Sequence, residues 1–284
     1  MHIRPIKTRI LQPPKDNLLG AIWSAVKKIP EKSVLVITSK IVSIGEGKCV
    51  PMNRYPDKDA LIKKEADCYI PRKEAPNAWV MHTLKDNVFI PSAGIDESNA
   101  NGYYILWPKH PKRSAKKLWI ALRKKYCVKK IGVIISDSHT IPLRRGVLGI
   151  SLTHYGFEPL KDYRGKKDLF GRRFKMTQTN IADGLAAASV LLMGEGREST
   201  PLALITDIPW VKFTNKEYKS KKPFSSFEIK TKEDLYYPLL SAVKWKKGKG
   251  GREAYSKTAS KKKDVIMQRI NQKSAKRQST HHIQ

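Results

Sequence analysis

Ile131-Gly132-Val133-Ile134-Ile135-Ser136-Asp137-Ser138 runs an apolar, β-prone segment straight into an Asp set among small polar residues. A second stretch follows the same plan. Val88-Phe89-Ile90 leads to Gly94-Ile95-Asp96-Glu97-Ser98-Asn99, with Asn101-Gly102 just beyond. Apolar runs bounded by turn-forming residues predict strands, so each Asp falls in an acidic loop at a strand end. One reading of Asp96 and Asp137 is structural, because Asp, Asn, Ser and Gly all stabilise turns. The other is chemical. Two carboxylates at strand ends can share a hard cation, since Mg²⁺ and Mn²⁺ favour oxygen donors and Mg²⁺ is commonly held by one or two carboxylates plus substrate phosphates.

The surrounding chain alternates strand and helix signals without a regular βα repeat, which predicts an α+β fold of mixed sheets with packed helices. Met1 to Ile10 suits an opening strand, and Asp16 or Asn17 can cap a helix through Leu18, Leu19, Ile22, Trp23 and Val26. Ser33 to Thr38 is largely β-branched and predicts a strand buried on both faces. Ser39 to Ser43 is expected as a loop at its carboxyl end, where Ser39 and Lys40 could meet a ligand; an ordinary exposed lysine is the plainer reading of Lys40. A surface helix is expected within Pro51 to Glu74, and short strands at Trp79–Met81, Val88–Ile90 and Tyr103–Trp107. A helix begins near Ser114, a strand spans Val147–Leu152, and Gly149 within it marks a close backbone approach. Asn180 to Met193 reads as a packed helix, capped by Thr179 or Asn180 and stopped by Gly194. Ala203–Thr206 adds a strand, and Leu235–Val243 a short closing helix.

Five segments occur in one order: TSKIVSIGEG (38–47), GIDESNANG (94–102), SDSHTIPLRRG (136–146), LKDYRGKKDLFGR (160–172) and ADGLAAASVLLMGEG (182–196). Together they resemble the coenzyme F420-0:L-glutamate ligase family, the γ-glutamyl ligases of a deazaflavin cofactor, over about residues 8 to 212. The resemblance implies that family's fold, an intertwined homodimer, and a GTP-dependent, divalent-metal-dependent amide ligase. Such an enzyme joins L-glutamate to a carboxylate of the cofactor precursor, or of a related anionic acceptor, through an acyl phosphate. It further implies that Asp96 and Asp137 bind Mn²⁺ or Mg²⁺, with Ser138 and Glu195 at a second metal position. Asn99 would contact the nucleotide, Gly194 and Gly196 would flank it, and Arg144 and Arg164 would serve the substrates. The chain also departs from the family. Ile44 stands where relatives carry a nucleotide-binding lysine, Ile141 where they carry an arginine, and the opening segment Thr8 to Asp16 differs.

Composition adds a second theme. The 284 residues carry 56 Lys and Arg against 25 Asp and Glu, a net charge of +31. Such a surface favours polyanions and says nothing about fold. From Lys244 onward 13 basic residues face two acids, so residues 244–284 are expected to form a basic, disordered tail behind a ligase-like domain of residues 1–243. Residues 108–130 are crowded with lysine and arginine as well. A diverged family member that binds nucleic acid instead of ligating is therefore the alternative to the ligase. Three scattered cysteines and no CxxC exclude a zinc finger or a disulfide scaffold. No apolar leader or run of about 18 apolar residues is present, so a cytoplasmic protein without membrane contact is expected.

Overall fold

The computed structural model describes residues 1–215 and 227–250. In chain order its strands are β1 (His2–Ile6), β2 (Ser33–Thr38), β3 (Cys49–Pro51), β4 (Cys68–Ile70), β5 (His82–Lys85), β6 (Val88–Pro91), β7 (Tyr103–Ile105), β8 (Ile131–His139), β9 (Leu148–Tyr155), β10 (Leu160–Asp162), β11 (Gln178–Asn180), β12 (Leu202–Thr206) and β13 (Lys246–Lys247). The helices are α1 (Leu18–Ala25), α2 (Ser39–Glu46), α3 (Lys58–Glu65), α4 (Pro111–Tyr126), α5 (Ile181–Met193) and α6 (Tyr237–Ala242). They fall into two compact units, one formed by Met1–Lys58 with Gly94–Ile229 and the other by Asp59–Ala93 with the chain from Lys230. The architecture is mixed α and β, with several sheets.

A five-stranded sheet in the order β1-β12-β2-β8-β9 organises the first unit. Only β2 and β8 run parallel; the other neighbours are antiparallel. Alternation sorts the side chains between the faces. Val34, Val36, Ile134, Ala203 and Ile205 meet Ala182, Leu185, Ala186 and Met193 of α5 in one core cluster, together with the fully buried Phe157. On the other face Trp119 of α4 stacks on Tyr155, ring centroids 4.9 Å apart, and donates its indole N–H to the carbonyl of Ile131 at 2.8 Å. Burial on both faces explains why β2 reads as an unbroken apolar run.

Helix ends follow local chemistry. Asn17 caps α1 by accepting from the Gly20 N–H at 2.9 Å, and Asn180 caps α5 through the Asp183 N–H at 3.0 Å. Gly194 closes α5 with φ +77°. Gly149 is needed for close packing, because a Cβ there would lie 2.6 Å from the carbonyl oxygen of Ala186 in α5. Gly184, by contrast, has open space around it inside α5.

The second unit is a four-stranded antiparallel sheet, β13-β4-β5-β6, with α3 in the same unit. Arg72 grips Asp59 with three N–H···O contacts of 2.6–3.1 Å. Lys85 is nearly buried and donates to the carbonyl of Glu65 at 2.7 Å. Of the tail expected from Lys244, residues 244–250 include β13, which pairs with Cys68 and Tyr69 of β4. Residues 251–284 lie outside the described residues.

The helix expected within Pro51 to Glu74 is present as the two-turn α3, flanked by 3₁₀ turns at Met52–Arg54 and Arg72–Glu74. Two other local expectations are corrected. Ser39 to Ser43 is not a loop but the start of α2, where Ile41, Val42 and Ile44 pack inward. Trp79 is 78% exposed and outside any strand; the β5 strand begins at His82.

Candidate active site

Parallel pairing of β2 with β8 sets Thr38 opposite Ser136, so the next residues, Ser39 and Asp137, meet at the carboxyl ends of adjacent strands. The Ser39 hydroxyl lies 3.0 Å from Asp137 Oδ2, and the Ser138 N–H donates to Asp137 Oδ1 at 2.8 Å. Asp137 therefore stands within β8 itself, not in a loop beyond it. Between Ile135 and Ser136 the register with β9 shifts, leaving Leu152 as an extra residue. The extra residue belongs to β9, so β8 keeps its alternation: Ser138 shares the α5-facing side with Ile134, and its hydroxyl lies 3.3 Å from Glu195 Oε2 just past the helix end.

Asp96 comes from a different part of the unit. Its backbone exchanges two 2.9 Å hydrogen bonds with Ile105 at the end of β7, which fixes the acidic loop 94–99. Lys40, on the first turn of α2, reaches Asp96 Oδ2 at 3.5 Å and donates to the carbonyl of Ser98 at 3.2 Å. Asn99, held at φ +54°, donates to the carbonyl of Gly196 at 2.9 Å. The Gly196 N–H in turn binds Glu198 Oε2 at 2.8 Å.

These groups line one cavity of about 710 Å³, which Thr8–Gln12, Ile41, Ile44, Val190 and Arg197 also border. Its floor is electrostatically frustrated. Burial, and then the nearby charge of Asp96, push Asp137 up to about 7. Burial also raises Asp96 while Lys40 opposes it, and 37% of that side chain stays exposed, so water screens part of its charge. Burial raises Glu195 too, against the Ser138 hydrogen bond. A buried carboxylate that ionises reluctantly beside another is relieved by a cation between them.

No three His, Cys, Asp or Glu side chains form a metal-ligand cluster among the described residues. The oxygen donors at the cavity are instead the carboxylates of Asp96, Asp137, Glu195 and Glu198, with the hydroxyl groups of Ser39 and Ser138 alongside. That set fits a hard ion that retains waters and takes its remaining ligands from a substrate phosphate.

Of the residues expected at the site, Ser39, Lys40, Asp96, Asn99, Asp137, Ser138, Gly194, Glu195 and Gly196 all border the cavity. Arg144 and Arg164 do not. Arg144 is exposed and donates to the carbonyl of Leu143, and Arg164 is spent on Asp162 at 2.6–3.0 Å. Two cavity cations were not expected, Arg9 and Arg197. Arg9 forms a bidentate pair with Asp16, at 2.6 and 2.7 Å. Neither carries a local sequence signal, since it is the packing of Thr8–Gln12 and residues 193–201 around the cavity that recruits them. Ile44 is 3% exposed at the cavity wall and brings no charge. No helix of the described residues is long and apolar enough to cross a membrane.

A family profile described as F420-0:Gamma-glutamyl ligase matches residues 5–207. A Coenzyme F420:L-glutamate ligase of Methanococcus maripaludis is 35% identical over 231 residues, covering 76% of this chain and 91% of that protein. The Methanopyrus kandleri protein of the same name is 31% identical over 221 residues, covering 72% and 86%. That of Methanocaldococcus jannaschii is 32% identical over 196 residues, covering 62% and 76%. The match runs through every strand of the central sheet and both acidic segments, and on that coverage and identity the chain belongs to the F420-0:gamma-glutamyl ligase family.

Proposed function

We propose that this chain is a GTP-dependent ligase that attaches L-glutamate in amide linkage to a carboxylate of F420-0 or a related anionic acceptor. The observation that carries the reading is the meeting of Asp96 and Asp137, 41 positions apart, in one cavity with Lys40. Asp96 and Asp137 would hold Mn²⁺ or Mg²⁺, with Ser138 and Glu195 placed for a second ion. When bound, the metal supplies neutralisation of the charge that develops on the transferred phosphoryl group. Lys40 adds a positive charge beside Asp96 and Arg197 adds another at the wall, whereas the charge of Arg9 is held by Asp16. Ile44 therefore does not leave the cavity without cations. An acceptor carboxylate oxygen attacks the γ-phosphorus, the bond to the GDP oxygen breaks, and an acyl phosphate forms. The glutamate amine then attacks the acyl carbon, phosphate leaves, and the amine proton passes to solvent. Positioning and electrostatics, not covalent chemistry by the protein, carry such a reaction.

Titration calorimetry of GTP in the presence of Mn²⁺ tests this. Wild-type protein binds GTP only with the metal, and Asp96→Asn weakens that binding at least about tenfold, worth about 1.4 kcal/mol. Equal GTP affinity with and without Mn²⁺ would sink the metal role.

A homodimer belongs to the same proposal. Leu143, Leu169 and Phe170 are 95–97% exposed, and Met176 is 68% exposed, on the segments that carry Arg144 and Arg164. Large apolar side chains exposed on these segments suit a surface that another chain covers. A second copy covering these segments accounts for arginines that stand outside the cavity of a single chain. Leu169→Asp with Phe170→Asp is expected to turn a dimer into a monomer in light scattering; a monomeric wild type rejects the idea.

A further inference from the structure

The helix α4 carries a structured cationic surface that the ligase reading does not use. Its sequence holds seven Lys and Arg and no acid. Ala115, Leu118, Trp119 and Leu122 turn one face into the core. At 100° per residue Arg113, Lys117 and Lys124 form a row opposite that face, and Lys112 and Lys116 form a second row along its flank. All five are exposed. Tyr126 donates its hydroxyl to the carbonyl of Val26 at 2.7 Å, which sets the exposed Lys27 and Lys28 beside the last turn.

Helix stability does not explain this pattern. Like charges at i, i+4, such as Lys112/Lys116 and Arg113/Lys117, repel. Lys112 and Arg113 also sit in the first turn, where the helix dipole disfavours cations. The N-terminus takes its carboxylate from Glu46 of α2, which accepts from the Lys109 N–H at 2.7 Å and from the Ser114 hydroxyl. In the flanking row Lys112 pairs with Glu228 at 2.6 Å, and Lys116 Nζ lies 6.0 Å from the Tyr155 ring centroid.

We propose that this face docks the phosphate backbone of a nucleic-acid duplex. Charge complementarity names a polyanion, and the rest of the surface narrows its class. A membrane-binding helix needs an apolar face to insert, and a protein partner needs an apolar interface centre. Ile120, 51% exposed, is the one large apolar side chain among the two rows. Single strands are gripped by stacking on aromatic rings. In α4 Trp119 is buried and Tyr126 is half-buried, so that platform is missing. A row of cations about 17 Å long, at 1.5 Å rise per residue, matches a regular duplex backbone read without base contacts.

The test is fluorescence anisotropy of a 20-base-pair DNA duplex with the full chain across a KCl series. The wild type binds with a steep salt dependence. Arg113→Glu with Lys117→Glu and Lys124→Glu weakens binding at least about tenfold at 0.1 M KCl and lowers the log–log salt slope by about three. GTP binding with Mn²⁺ stays unchanged in that variant, so this face and the ligase site fail or stand separately. The matching Gln triple variant replaces it if the Glu variant loses its cooperative melt. An unchanged slope in the variant, no duplex binding by wild type, tighter binding of a single strand, or tighter binding of vesicles of phosphatidylserine and phosphatidylcholine each overturns the proposal.

Discussion

Asp137→Asn is expected to slow ligation by about 1,000-fold or more while making the metal-free protein more stable at pH 8. The rate loss follows from removing a carboxylate whose charge would hold the cation at the transferred phosphate, a preorganised electrostatic contribution. The stability gain follows from the same burial that suits the site to a metal. In the folded protein burial and Asp96 raise Asp137 to about 7, above the ordinary carboxylate range. A group with a raised folded value is bound to its proton more tightly when folded. Its stabilising contribution is complete below about pH 4, declines as pH rises towards 7, and is gone above that. At pH 8 the charged wild-type side chain therefore carries a penalty that Asn, a neutral isostere with the same Ser39 and Ser138 neighbours, does not. The penalty is on the order of 2 kcal/mol, since the side chain keeps partial access to water. Melting temperatures at pH 4 and pH 8 measure it: the two proteins lie nearest each other at pH 4 and furthest apart at pH 8, with the variant higher. Added Mn²⁺ raises the wild-type melting temperature by ligand linkage and leaves the variant unchanged. A variant less stable than wild type at pH 8 would show that the Asp137 charge is already compensated within the chain.

Gly156→Ala is expected to cost about 3 kcal/mol or more of folding stability without touching the cavity. Gly156 has φ +89°, a conformation that costs an L side chain about 1–2 kcal/mol. Space is also lacking. A Cβ there would sit 2.3 Å from the Ile131 carbonyl oxygen and 2.4 Å from the Trp119 indole nitrogen. Those two atoms form the hydrogen bond that ties α4 to the edge of β8. The added methyl group therefore imposes backbone strain and also breaks a buried donor–acceptor pair. Urea unfolding measures the loss, and a change below about 1 kcal/mol would mean that α4 shifts outward freely.

How much of this was legible beforehand differs from residue to residue. The β2 strand was readable to its ends, because a β-branched run bounded by Glu31-Lys32 and Lys40 has few other places to go. The limits of α5 were readable too, as Asn180 and Gly194 act within a few residues of the chain they terminate. The α2 helix is not legible, because a segment directly after a strand's carboxyl end reads as a ligand-meeting loop, and only the inward packing of Ile41, Val42 and Ile44 makes Ser39–Glu46 helical. Asp96 and Asp137 could be picked out as carboxylates at strand ends. Only the family resemblance, not the local chemistry, implies that they meet, and nothing in the sequence places Lys40 beside Asp96.

What the sequence by itself determined, then, is local: strand and helix limits, capping residues, the cationic make-up of α4, and the ordered motifs that mark the family. Those depend on side-chain chemistry within a few positions. The tertiary structure alone decided which distant residues meet. The parallel pairing of β2 with β8 puts Ser39 on Asp137, and the packing of α5 on that sheet brings Glu195 to Ser138. It also drew Arg9 and Arg197 to the cavity and left Arg144 and Arg164 outside it. Contacts between residues tens to a hundred positions apart arise from the buried sheet packing that closes the chain on itself, and no short window of sequence contains that information.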